Sequence, residues 1–97
     1  MTAARRELAV LTNPTAGNGR GPRARDAALR RFEEAGRPFV SLQGRDADDA
    51  LDLARSRVAE GASALVVVGG DGMVHLGVQA TAGTGTPLGI IPCGTGN

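Results

Sequence analysis

Short apolar runs at residues 8–11, 39–42, 64–68 and 88–91 alternate with longer stretches in which apolar residues recur at helical spacing. Runs of the first kind predict strands and those of the second predict helices, in the order βαβαβαβ. The first helix is expected to begin near Pro22, a residue suited to a first helical position, and to end before Gly36. Its inner face would carry Ala24, Ala28, Phe32 and Ala35. The second should open on Asp46 as N-cap, hold Asp48 and Asp49 in its positive first turn and stop at Gly61. Ala47, Leu51, Ala54 and Val58 would face inward. A third is expected over about residues 72–82. A strand as uniformly apolar as Leu65-Val66-Val67-Val68 is covered on both faces, so the pattern predicts a three-layer α/β/α fold with a parallel sheet and right-handed crossovers.

Composition narrows the chemistry. At 97 residues the chain is one domain or part of one. A net charge of +1 and 2% aromatic residues leave neither the field nor the stacking surfaces that nucleic-acid binding needs. All 11 basic residues are arginine, which removes the P-loop signature and the strand lysine of protein kinases. The single cysteine, Cys93, excludes an internal disulfide and fits a reducing cytoplasm. The apolar stretch after Arg5 and Arg6 stops before Asn13-Pro14, so no export signal is visible, and no run approaches the roughly 20 residues of a membrane span.

In a parallel α/β sheet the loops after the strands' carboxyl ends share one rim. Three of the four here are glycine-rich: residues 13–19, 69–72 and 94–97. The loop after the second strand is read as ordinary. With a strand order of 2-1-3-4 the three glycine loops become neighbours and form one backbone-lined cleft suited to a polyphosphate, as in a Rossmann-like nucleotide-binding half. Arg20, Arg23 and Arg25 gather at a helix start, where cations are disfavoured unless an anion is near; a solvated face continuing through Arg30 and Arg31 also accounts for them. Asp71 sits among glycines that would cradle phosphate, and so serves a metal ion, a proton transfer or a helix cap. His75, expected in the first turn of the third helix, has no second ligand nearby and is assigned no role, and Cys93 is read as a small semi-buried residue rather than a nucleophile paired with it.

On these three loops the chain resembles the diacylglycerol kinase catalytic domain family, which includes bacterial lipid kinases and sphingosine kinases. The family's NPxxG motif matches Asn13, Pro14 and Gly17, its GGDG motif matches Gly69, Gly70, Asp71 and Gly72, and its GTGN motif matches Gly94, Thr95, Gly96 and Asn97. The resemblance implies that these loops, with Gly19 and Arg20, bind the phosphates and ribose of ATP with Mg²⁺. It further implies that Asp71 assists catalysis and that the γ-phosphoryl passes to a hydroxyl of diacylglycerol or a sphingoid-type lipid. Met73 departs from the family's usual threonine and Leu76 from its common acidic residue, while Asn18 stands at a frequent lysine position whose charge Arg20 would supply.

By the same resemblance, residues 1–97 are the N-terminal nucleotide-binding part of a lipid kinase catalytic domain, cut before a β-rich second domain that holds lipid. The piece alone would be inactive and marginally stable, with an exposed edge at its fourth strand. The implied partners are nucleotide and lipid, with a cytoplasmic location that leaves room for peripheral membrane contact by the full-length protein. An NAD kinase-like enzyme shares the GGDG loop but not the NPxxG and IPxGTGN forms. A non-catalytic nucleotide-binding module would fit the departures at Met73 and Leu76.

Overall fold

The computed structural model describes residues 7–12 and 20–93. Its elements follow the order β1 (Leu8–Thr12), α1 (Arg20–Glu34), β2 (Phe39–Gln43), α2 (Ala47–Ala59), β3 (Ala64–Val68), α3 (Asp71–Thr81) and β4 (Leu88–Ile91). The strands form one all-parallel sheet in the order β2-β1-β3-β4, as the sequence pattern predicts. Helices cover both faces, a three-layer Rossmann-like arrangement.

Alternation along the strands divides the core in two. Ala9, Leu11, Leu65 and Val67 point to one side and pack with Ala50 and Ala54 of α2 and Met73, Leu76 and Ala80 of α3. Leu8, Val10, Val66 and Val68 point to the other, against Ala24, Leu29 and Phe32 of α1 and the buried Cys93. Both faces of β1 and β3 are therefore dry, which explains their unbroken apolar runs.

Several boundaries and faces differ from the sequence reading. Helix α1 begins at Arg20 rather than near Pro22. Pro22 is still within the first turn, where its missing N–H has no intrahelical acceptor to lose. Strands β1 and β2 each run one residue further, because Thr12 and Gln43 continue the parallel pairing in register. Ala35 lies in the turn after α1 and is exposed, as is Ala47 at the first position of α2; Leu29 and Ala50 occupy inner positions instead.

The strand ends are level. Thr12 pairs with Gln43 on one side and Val68 on the other, and Val68 pairs with Ile91. Every connection after a strand thus leaves from the same rim. The segments 13–19 and 94–97, with the expected site residues Asn13, Pro14, Gly17, Gly19, Gly94, Thr95, Gly96 and Asn97, lie outside the described residues.

Candidate functional site

Helices α2 and α3 both start at this rim, yet their first turns are built differently. Helix α2 satisfies itself: Asp46, extended at the N-cap, accepts a 2.8 Å hydrogen bond from the Asp49 N–H through its side chain. Asp49 reaches back to accept one of 2.8 Å from the Arg45 N–H, with the Arg45 Nε 3.5 Å away. This resembles a capping box, the acid reaching one residue beyond the cap. The hydrogen bond from the Arg45 backbone, followed by that residue's guanidinium, holds the Asp49 carboxyl below its ordinary pKa of 3.8.

Helix α3 has no such device. Its N-cap is Gly70, with no side-chain cap, so the N–H groups of its first turn are offered outward. Asp71 is the first helical residue and exposed; it is not the cap. The capping reading of Asp71 is therefore corrected: the residue is exposed in the first turn, at the positive end of the helix, and the cap is Gly70.

The glycines of the turn separate by cause. Gly69 has φ +152°, and a Cβ on it would come 2.5 Å from the Met73 Cγ, so the fold itself demands glycine. Its N–H bonds the Ile91 carbonyl at 3.0 Å, tying the turn to the end of β4. Gly70 and Gly72 are different. Neither has positive φ, and a Cβ on either meets nothing within 4 Å among the described residues. Among the described residues nothing requires glycine at these two positions, and their bareness leaves open space over the N-terminus of α3.

Beside that space is a shallow groove of about 150 Å³ between the two helices. It is lined by Ala47, Asp48 and Leu51 of α2 and by Gly72, His75, Leu76 and Gln79 of α3. Its volume is below the roughly 300 Å³ of a complete small-ligand pocket, so it suits one ring of a larger ligand. The loop after β2, read from sequence as ordinary, thus leads directly into one wall of the site. Gly44 makes this possible, because a Cβ there would stand 2.7 Å from the backbone of Ala50. The available signal was the glycine itself together with the Asp46 cap.

His75 is exposed in the second turn of α3 rather than the first, 3.1 Å from the Gln79 amide nitrogen. Cys93 is buried in the core layer under α1, on the opposite face of the sheet, so the two do not form a nucleophilic pair. Met73 and Leu76 are buried in the layer under α2 and α3. The hydroxyl and acidic groups expected there by the resemblance are absent, and both positions serve core packing. Of the arginines at the start of α1, Arg25 is engaged by Asp26 at 3.0 Å, and Arg23 is exposed.

A polar group that the pattern did not single out also lies at the rim. Thr12 ends β1 fully buried, and among the described residues its Oγ1 has no hydrogen-bond partner. Its only sequence signal is a hydroxyl closing an apolar run.

Residues 7–97 match the diacylglycerol kinase catalytic domain. The chain belongs to this family. It is 45% identical over 91 residues to proteins named diacylglycerol kinase from two Mycobacterium tuberculosis strains, CDC 1551 / Oshkosh and ATCC 25618 / H37Rv. The alignment covers 94% of this chain and 29% of each relative. Membership of this family sets aside the NAD kinase-like alternative. Among the described residues, no helix is long and apolar enough to cross a membrane.

Proposed function

We propose that this chain is the nucleotide-binding part of an ATP-dependent lipid kinase, transferring the γ-phosphoryl of ATP to a hydroxyl of diacylglycerol or a sphingoid-type lipid. The observation that carries the reading is the uncapped start of α3, where no described residue stands close enough to Gly70 or Gly72 to exclude a side chain. Bare N–H groups at a helix N-terminus bind phosphate oxygens, and the absent Cβ atoms permit close approach. The adjoining groove would take the nucleoside end.

Asp71 then accepts the proton of the acceptor hydroxyl as its oxygen bonds to the γ-phosphorus and the bond to the β-phosphate oxygen breaks, releasing ADP. Among the described residues no three metal-ligating side chains gather. That fits Mg²⁺ all the same, because this ion is commonly held by one or two carboxylates together with substrate phosphates and water. Held by the substrate phosphates and water, with Asp71 reserved for the acceptor's proton, the ion would supply neutralisation of phosphate charge. Asn13, Pro14, Gly17, Gly19, Arg20, Gly94, Thr95, Gly96 and Asn97 complete the proposed nucleotide contacts through the family motifs.

Titration with Mg²⁺-ATP, followed by amide chemical shifts, tests the site. Gly17, Gly70, Gly72, His75 and Gln79 should move. Shifts restricted to the opposite rim, at Gly36, Gly61 and Gly83, would remove the proposal.

A further inference from the structure

Thr12 is out of keeping with its surroundings. It closes the central strand β1, is 0% exposed, and lies by alternation on the same side as Leu8 and Val10, toward α1. Its neighbour in register on β3 is Val68, also fully buried on that side. A valine of the same shape would satisfy every apolar requirement of this position. Among the described residues the hydroxyl instead has no hydrogen-bond partner, a costly condition for a group shielded from water.

Location decides what the missing partner is. Ser63 Oγ shares the condition, but it precedes β3 at the opposite rim, away from the ligand side of a parallel sheet. Thr12 stands at the ligand rim, level with the end of β3 and the start of the GGDG turn. On its side of the sheet is α1, whose first turn contains no acidic residue, so its positive end is uncompensated from within. A hydroxyl donor at a strand end beside a positive helix terminus is complementary to an anionic oxygen.

We propose that Thr12 is a phosphate-binding residue whose Oγ1, unpaired in the free protein, donates a hydrogen bond to a phosphate oxygen of the bound nucleotide. The proposal rests on the nucleotide site described above. Unlike a purely structural threonine, Thr12 lowers the stability of the free protein and contributes only when ligand is present.

The test compares wild type with Thr12→Val, Thr12→Ser and the opposite-rim control Ser63→Ala, using thermal melts without ligand and titrations with Mg²⁺-ATP and with inorganic tripolyphosphate. Thr12→Val should melt roughly 2–6 °C higher, since it removes an unpaired buried hydroxyl. It should bind both ligands about tenfold more weakly, the loss of one hydrogen bond to a charged group. Thr12→Ser should restore affinity, and Ser63→Ala should leave it unchanged. Equal affinities of wild type and Thr12→Val overturn the proposal, as does a lower melting temperature for the unliganded valine variant, which shows the hydroxyl already bonded. If wild type binds neither ligand, the nucleotide site itself fails and Thr12 falls with it.

Discussion

In the proposed reaction Asp71 is the side chain whose loss should be felt most. It occupies the first position of α3, exposed, with Gly70 rather than itself as cap. Replacing it by Asn keeps size and removes charge, so stability should fall only by the roughly 0.3–1 kcal/mol of a lost charge–helix interaction. Turnover should fall on the order of a hundredfold or more, the scale of lost acid–base assistance. Lipid phosphorylation kinetics beside a thermal melt decide the matter. Near wild-type turnover in a normally folded Asp71→Asn protein would leave the carboxylate without a catalytic part.

Gly44 and Gly72 lead to opposite expectations for the same change, because their surroundings differ. Gly44→Ala drives a Cβ against the backbone of Ala50 in α2, which no side-chain rotation relieves. It should cost about 1–3 kcal/mol in a denaturant melt. Gly72→Ala enters open space inside a helix and should instead stabilise by roughly 0.5–1 kcal/mol while weakening ATP. A Gly72→Ala protein that is both more stable and fully competent for ATP would show that nothing approaches this backbone.

The first turn of α2 adds a pH signature at the same scale. Asp49, its pKa lowered by the Arg45 N–H, contributes stability that is full above the ordinary carboxylate value of 3.8 and is lost as pH falls through the lower folded value. The melting difference between wild type and Asp49→Asn should be constant above about pH 5 and close below 3.8. A difference unchanged down to pH 2.5 would mean that the Asp49 charge does not hold this turn.

At the scale of the molecule, the proposed ligand bridges parts that the core holds separately. The start of α3, the wall supplied by α2 and the end of β1 meet at one rim because four strands end in register. A nucleotide bound only to the native arrangement stabilises all of them together. At a hundred times its Kd it adds about 2.7 kcal/mol, which for a domain of this size raises Tm by roughly 10 °C or more. A melt in saturating Mg²⁺-ATP that shows no rise would argue that the rim does not act as one site.

Local pattern determined the elements and their order. The apolar runs mark strands, Asp46 marks a cap, and the connections long enough for helices demand parallel crossovers, from which the level rim and the GGDG turn follow. Tertiary structure alone decided that Gly69 serves the fold, that α2 supplies a wall of the groove and that, among the described residues, Gly70 and Gly72 leave space and Thr12 lacks a partner. The physical reason is range. Periodicity and capping depend on residues within a turn or two of one another, whereas a Cβ clash, a groove wall or an unmet hydrogen bond depends on which distant segments the sheet brings together.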